Sequence, residues 1–254
     1  MIGADMRNSK IVCIAVFGAI ALALTHPVPA AAMSLSPTQV EMTSAGKTSQ
    51  ARIVVVNNSA QPLPVEAVIK KATLDDAGVA QTASEASDEF LVMPPQALIP
   101  PGGSQVFRVQ WLGEPLLAKS QSYMLFMNQI PVKFAKSESR LQVVFSMAAM
   151  INVAPPEGAP ALRVVETGVA VDAAGNRRPK LTVENTSNVH ALLPRTTIRL
   201  ASGAWSETLT PGLLSQSVGI GLVQPGRKRT FILPGNVPPG VSRLQAELQD
   251  TKRR

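Results

Sequence analysis

The chain has 254 residues, carries a formal net charge of +7, and contains 21 prolines and 17 glycines. This length is enough for two domains of ordinary size. A basic balance would suit an acidic partner or nucleic acid, but the bases are scattered except at residues 227–229 and 252–254, and no aromatic side chain lies within those two clusters. A binder of single-stranded nucleic acid needs aromatic stacking platforms, so we expect no nucleic-acid partner.

The first 32 residues are predicted to be a secretory signal peptide. Arg7 and Lys10 precede an apolar run at residues 11–24, and three alanines follow at residues 30–32. A basic region, an apolar region and a small-residue end appear in that order in signal peptides. The apolar run is short for a bilayer core, which needs about 20 residues. We therefore expect cleavage after residue 32, export, and no membrane insertion of the mature chain.

The side chains needed for catalysis or metal binding are scarce. The single cysteine, Cys13, lies in the signal peptide, and His190 is the one histidine after it. The mature chain therefore has no thiol for a disulfide, a nucleophile or a metal, and it cannot form a site of two or more His or Cys ligands. No nucleophile elbow accompanies His190, and no glycine-rich phosphate loop opens a helix. We predict no catalytic residues, no metal and no cofactor, a structural role for His190, and a protein that is not an enzyme.

The first part of the mature chain has the pattern of an all-β sandwich. Short segments of period-two alternation are separated by turn signals, and no long stretch has helical periodicity. Residues 74–88 are small and acidic and are expected to form an exposed connection. Pro37 favours an edge position in the first strand. The predicted strands are residues 34–43, 47–58, 61–71, 89–93, 105–111 and 123–130.

Residues 141–153, LQVVFSMAAMINV, contain no charge, glycine or proline and are predicted to form a long strand. Leu141, Val143, Phe145 and Met147 lie two apart and therefore share one face. The opposite face is partly apolar as well, whereas a strand bordering solvent usually alternates apolar with polar residues. The strand is either covered on both sides as a central strand or leaves one face open for a partner.

A second sandwich of about seven strands is predicted after a proline-rich linker at residues 155–160. The Pro-Gly turn of residues 225–226 repeats the one at residues 101–102. The predicted strands are residues 162–171, 179–185, 190–193, 196–201, 205–209, 217–223, 229–233 and 242–248.

An ordered set of motifs resembles the periplasmic pilus-assembly chaperones, the PapD-like family. The resemblance lies mainly in two segments, FLVMPPQALIPPGGSQVFRVQW at residues 90–111 and YMLFMNQIP at residues 123–131. The opening SLSPTQV and the strand ending VVNNS add to it. The resemblance is weaker in the second half of the chain, where it rests on KLTVENTSN and VQPGRKRTF. The resemblance implies an all-β fold of two immunoglobulin-like sandwiches in an L-shaped arrangement. Its domains would be residues 33–154 and 161–254.

The same resemblance implies a function in fimbrium biogenesis and cell wall organization. Such chaperones bind pilin-like subunits in the periplasm by donor-strand complementation, a form of β-strand addition, and deliver them to an outer-membrane usher without ATP or a cofactor. Here Leu141, Val143, Phe145 and Met147 would be the donor side chains. Dimerisation of the free protein, to cap its own open face, is left open.

The chain departs from the family at the usual anchor for the subunit's terminal carboxylate. The aligned positions hold Gln39 and Met150, and a neutral amide with a thioether cannot supply two charge-assisted hydrogen bonds. Arg52, Arg108 and Lys133 are the alternative anchors that we consider.

Methionine supports a rival hypothesis. Thioethers suit Cu(I), so a periplasmic copper carrier is an alternative, although methionine also fills gaps in cores. A generic structural sandwich is a third alternative. The methionines concerned are Met93, Met124, Met127, Met147 and Met150.

Overall fold

The computed structural model describes residues 33–131 and 144–250, so the predicted signal peptide lies outside the described residues. These residues form eighteen strands and one α-helix, which confirms the all-β prediction. No helix in the described ranges is both long and apolar enough to cross a membrane. The first ten strands are Met33–Ser36 (β1), Gln39–Thr43 (β2), Gln50–Asn57 (β3), Leu63–Leu74 (β4), Ala80–Thr82 (β5), Phe90–Met93 (β6), Gln96–Ile99 (β7), Ser104–Trp111 (β8), Gln121–Gln129 (β9) and Ser146–Ala154 (β10).

Strands β1 to β10 form two sheets that share one core, here called the first sandwich. One sheet has the order β1-β3-β8-β6, and the other has the order β2-β10-β9-β4-β5 with β7 beside β4. The predicted single strand at residues 34–43 is wrong in one respect, because it is divided into β1 and β2, which are edge strands of different sheets. The division falls at Pro37, which has no N–H to donate to a ladder.

The core of the first sandwich follows from the alternation along its strands. Phe107 and Val109 of β8 are fully buried, whereas Arg108 between them is exposed. Aromatic rings pack edge to face at one end of this core, with centroids 4.8 Å apart for Phe90 and Tyr123 and 5.0 Å apart for Phe90 and Trp111. Such pairs add about 0.5–1.5 kcal/mol beyond burial of their area.

The structure differs from the prediction in three segments of the first sandwich. Residues 74–88 are not only a connection, because β5 lies within them and pairs with β4. The turn before β5 contains Gly78 at a φ of 89°, a conformation that glycine adopts without strain. Strand β7 was not predicted, since two prolines precede it. The strand predicted at residues 141–153 begins, among the described residues, only at Ser146, because Val144 and Phe145 precede β10, and Leu141 and Val143 lie outside the described residues.

The remaining strands form the second sandwich, with sheets β11-β12-β17, β13-β16 and β15-β14-β18. Their common core is buried and separate from the first. The elements are Leu162–Val171 (β11), Arg177–Asn185 (β12), Ala191–Leu192 (β13), Thr196–Ser202 (β14), Trp205–Leu209 (β15), Pro211–Ser217 (α1), Leu222–Val223 (β16), Lys228–Ile232 (β17) and Gln245–Asp250 (β18).

The strand predicted at residues 217–223 is largely wrong, because the segment contains the end of α1 and the short β16. Pro211 occupies the start of α1, where its fixed φ suits a helix and its missing N–H costs nothing. Leu214 of the helix is fully buried in the second core. Gly219 and Gly221 follow at φ values of 62° and 61°, and these left-handed conformations prevent a continuous strand.

The two sandwiches contact each other through an apolar cluster and backbone hydrogen bonds. Leu74 and Met150 of the first sandwich pack against Leu192 and Leu222 of the second. The side chain of Gln224 accepts a hydrogen bond from the Leu74 N–H at 2.9 Å. The second sandwich therefore covers one end of the outer face of the β2-β10-β9-β4-β5 sheet.

Candidate functional site

Strand β10 has two neighbours along one half and a single neighbour along the other. It pairs antiparallel with β9 from Ser146 to Val153. It pairs parallel with β2 only from Met150, which lies opposite Gln39, onward to Ala154. Residues 146–149 consequently have a described strand partner on one side only, and we call this stretch the open edge.

The backbone groups of the open edge alternate in direction. The N–H of Gln129 in β9 donates to the carbonyl oxygen of Phe145 at 2.9 Å, and the N–H of Met150 donates to the carbonyl oxygen of Thr38, on the opposite side, also at 2.9 Å. By alternation, the N–H and C=O groups of Ser146 and Ala148 point away from β9. An edge with such groups is a template for pairing with another strand.

One row of apolar side chains continues from the core into the open edge. Ala149, Ile151 and Val153 are fully buried, and Met147 packs partly against the same core. Phe145 has the same parity but is 39% exposed. The row therefore passes from side chains that the first sandwich buries to one that it leaves accessible. Of the predicted donor side chains, Phe145 and Met147 are placed in this row, and Leu141 and Val143 lie outside the described residues.

The outer face of the sheet beside the open edge is also apolar. Val68 of β4 lies opposite Phe126 of β9, and Phe126 lies opposite Ala148 of β10. All three side chains are half-buried. A strand added at the open edge would extend the sheet next to this row.

The two positions aligned with the family's anchor are brought together but offer no charge. Gln39 donates from Nε2 to Oε1 of Glu41 at 3.2 Å. Met150 is 4% exposed and packs against Leu192 and Leu222 of the second sandwich. The thioether at this position therefore contributes to the contact between the sandwiches.

The alternative anchors are not brought to the same place. Arg52 and Arg108 lie directly opposite each other on β3 and β8, in the other sheet. Both are exposed, and with Met93 and Val106 they line a surface cavity of about 690 Å³. Lys133 lies outside the described residues.

A polar cluster that the sequence does not reveal connects the two sandwiches. His190 Nε2 lies 2.7 Å from Oε2 of Glu41, and Nδ1 lies 3.0 Å from Oγ of Ser120. Arg195 Nη1 is 3.5 Å from the same Glu41 oxygen. Residues 149 positions apart in the chain carry no local signal of such a contact.

The cluster resembles a catalytic triad in composition but not in exposure. Ser120 is 9% exposed and His190 is 6% exposed, and Oγ of Ser120 also accepts the backbone N–H of His190 at 3.0 Å. A nucleophile must reach its substrate. The geometry therefore fits a structural role for His190.

The ionisation of Glu41 depends on this cluster. Burial raises the pKa of Glu41, but the hydrogen bond and charge of His190, with hydrogen bonds from Asn152 and Gln39, outweigh burial and hold the pKa below the ordinary value of 4.5. Hydrogen bonding to the charged form has this effect. Glu41 is therefore a carboxylate at neutral pH.

The methionines of the copper hypothesis fall in three separate places. Met124 lies opposite Met150 at the contact between the sandwiches, and Met127 lies opposite Met147 on the core side of the same strands. Met93 is on the other sheet and 52% exposed. The described residues also include no group of three or more His, Cys, Asp or Glu side chains placed to hold a metal.

Comparison with known proteins identifies the family. Residues 32–158, half of the chain, match the family described as pili and flagellar-assembly chaperone, PapD N-terminal domain. The protein belongs to this family of pilus-assembly chaperones, which is not a family of enzymes. A comparison with curated proteins found no match.

Solved structures of chaperones share the fold at low sequence identity. The class 5 fimbriae chaperone CfaA has a TM-score of 0.51 and 14% identity, over 87% of this chain and 100% of that one. A chain of the complex of the Salmonella enterica SafA pilin with the SafB chaperone has a TM-score of 0.50 and 19% identity, over 80% of this chain and 84% of that one. The prediction of two immunoglobulin-like sandwiches is confirmed.

Proposed function

We propose that this protein is a periplasmic chaperone that binds pilin-like subunits by donor-strand complementation and delivers them to an outer-membrane usher. The observation that carries the proposal is the open edge of β10, where unpaired backbone groups and an accessible apolar row occur together. A subunit lacking a strand exposes a groove of matching character, since its unpaired edges and its core are both uncovered. One added strand covers both.

The family and its complexes support the choice of partner. The family is one of pilus-assembly chaperones, and related folds occur in a complex of a chaperone with the SafA pilin and in a chaperone–tip adhesin complex of CFA/I fimbriae biogenesis. Delivery to an usher follows from the role of this family. Release needs no ATP if a strand of the next subunit replaces β10, because the folding of the subunit supplies the free energy.

The boundaries that we propose for the two domains are residues 33–154 and 161–254, joined by the linker at residues 155–160. Two separate buried cores support this division. The linker holds the three prolines that line a cavity between the sandwiches, Pro155, Pro156 and Pro160, and prolines stiffen a connection.

Two substitutions test strand donation at different atoms. Phe145→Arg places a charge in the apolar row, and because Phe145 is 39% exposed the free chaperone is expected to fold. Ala148→Pro removes an N–H of the open edge that points away from β9, so the hydrogen bonds between β10 and β9 are kept. Each change should reduce subunit binding roughly tenfold or more, equivalent to about 1.4 kcal/mol. Ala148→Val keeps the N–H and is the matched control.

The measurement is co-expression with a pilin-like subunit encoded nearby, followed by periplasmic co-purification and intact-complex mass spectrometry. We expect a one-to-one complex with the unchanged chain and with Ala148→Val, and little or none with the other two variants. Normal recovery of the subunit with Phe145→Arg and Ala148→Pro would show that β10 is not the donor strand.

A further inference from the structure

We propose that Glu41 and His190 form an acid-sensitive clasp that holds the two sandwiches in one orientation. Glu41 belongs to β2 of the first sandwich, and His190 precedes β13 of the second. Their side chains meet at 2.7 Å between Oε2 and Nε2. A contact between two bodies at this distance restricts how they rotate relative to each other.

Hydrogen bonds from neighbouring residues fix the positions of both side chains of the clasp. Asn152 of β10 donates from Nδ2 to Oε1 of Glu41 at 2.9 Å, and Gln39 donates to the same oxygen. On the other side, Ser120 of the first sandwich bonds both the ring Nδ1 and the backbone N–H of His190 at 3.0 Å. The imidazole is thus fixed between a hydroxyl and a carboxylate, and Nε2 carries the proton that it donates to Glu41.

The charges around the clasp make it sensitive to acid. The groups that face Glu41 are His190, the Arg195 guanidinium at 3.5 Å, and the uncharged amides of Gln39 and Asn152. Protonation of Glu41 removes the carboxylate that accepts the hydrogen bond from His190 and faces the Arg195 guanidinium, and a hydrogen bond to an ionised group is stronger than one to a neutral group. The folded-state pKa of Glu41 is lowered from 4.5, so this contribution is present above 4.5 and is lost as the pH falls through the lower value.

Solvent has access to both members of the clasp. A cavity of about 480 Å³ lies between the sandwiches, and Glu41, His190, Arg195 and the linker residue Pro155 all line it. Protons can therefore reach the carboxylate without opening either core. Other hydrogen bonds between the sandwiches, such as those from the Leu74 N–H to Gln224 and from the Thr230 N–H to the Asp76 carbonyl oxygen, lie away from the clasp and join neutral groups.

Double electron–electron resonance on the mature chain tests the clasp. The mature chain has no cysteine, so spin labels can be attached specifically at Gln50→Cys in β3 and Thr208→Cys in β15, two exposed positions. We expect one narrow distance distribution at pH 7, and its loss in the Glu41→Gln variant at the same pH. The unchanged labelled chain should lose the narrow distribution on acidification below pH 4.5, with its far-UV circular dichroism retained.

The matched control removes a carboxylate that acts within one sandwich. Glu184 pairs with Arg163 inside the second sandwich, so Glu184→Gln should keep the narrow distribution at pH 7 and its loss in acid. Nuclear magnetic resonance of the Glu41 side-chain carboxyl gives a second measurement, in which His190→Gln should raise the pKa of Glu41. A narrow distribution in Glu41→Gln at pH 7, or an unchanged Glu41 titration in His190→Gln, would overturn the clasp.

Discussion

Both sandwiches contain the same arrangement at the end of one strand, a buried asparagine bonded to nearby turns, which we call the shared corner. They differ in how their last strands are paired. In the first sandwich, Nδ2 of Asn57 donates to the carbonyl oxygens of Gln61 at 2.7 Å and Ile99 at 3.0 Å, and Oδ1 accepts the N–H of Ser59 at 2.9 Å. A fully buried side chain thereby ties the end of β3 to the turn before β8. Buried amides are tolerated when they are satisfied in this way.

The second sandwich repeats this arrangement with Asn185 at the end of β12. Nδ2 donates to the carbonyl oxygens of Val189 at 2.8 Å and Val223 at 2.9 Å, and Oδ1 accepts the N–H of Ser187 at 3.0 Å. In both sandwiches an Asn-x-Ser sequence closes a strand against a Pro-Gly turn. Because the shared corner occurs in both sandwiches, it is a structural feature and does not distinguish the sandwich that contains the candidate site.

The difference between the sandwiches lies in their last strands. Strand β18 keeps one partner, β14, along its whole length. Strand β10 has two partners from Met150 to Val153 and one from Ser146 to Ala149. The comparison shows that the candidate site arises where one sandwich leaves a ladder unfinished.

The largest effect is expected from breaking the shared corner in each sandwich separately. Asn57→Ala and Asn185→Ala each remove a fully buried amide that donates to two or more carbonyl oxygens and accepts a backbone N–H. Each should lower the free energy of unfolding of its own sandwich by about 3 kcal/mol. Each sandwich contains one tryptophan, Trp111 or Trp205. Urea unfolding followed by fluorescence in Trp205→Phe and Trp111→Phe backgrounds therefore reports on one sandwich at a time.

If Asn57→Ala destabilised both sandwiches equally, the two would unfold as one unit and the comparison between them would fail. Gln50→Ala, at an exposed position in β3, is expected to leave both transitions unchanged.

A smaller effect is expected from two glycines in matching turns. Gly78 and Gly175 both have positive φ, 89° and 84°. A Cβ at Gly78 would lie 1.9 Å from Nη2 of Arg229 in the second sandwich, whereas one at Gly175 meets nothing within 4 Å. Gly175→Ala should cost about 1 kcal/mol through backbone strain alone. Gly78→Ala should cost more, since the turn must also withdraw from Arg229.

Thermal unfolding of the two glycine variants measures this difference. Gly78→Ala should also weaken the hydrogen bond from the N–H of Thr230 to the carbonyl oxygen of Asp76, which amide hydrogen exchange at Thr230 would detect. Equal losses in the two variants would mean that the turn does not depend on its contact with the second sandwich.

The smallest effect concerns an exposed carboxylate. Hydrogen bonds from Asn176 and Arg178 lower the pKa of Asp172 to about 2, from 3.8. Because the folded-state pKa is lowered, the stabilisation is present above 3.8 and is lost as the pH falls through about 2. Asp172→Asn should therefore flatten the dependence of the Trp205 transition on pH in that range and leave the Trp111 transition unchanged. An unchanged dependence in the variant would assign the acid sensitivity to other carboxylates.

Alternation and turn residues were sufficient to predict most strands of both sandwiches, because a strand buried on one face has apolar residues at every second position. They failed at α1, where a short helix is too brief to show a helical period, and at Pro37, where one apparent strand serves two sheets. The Phe145 and Met147 row was predicted from parity alone. The meeting of Glu41 with His190 could not be predicted, since it depends on how two separately folded sheets pack.

The register of β10 is set by its buried half. Ile151 and Val153 fix which side chains face the core, and a shift of one residue would move every side chain to the opposite face. Phe145 inherits its direction from that constraint before any partner arrives. The buried half of the strand therefore determines the spacing and direction of the side chains in the exposed half, whether or not a second chain is bound there.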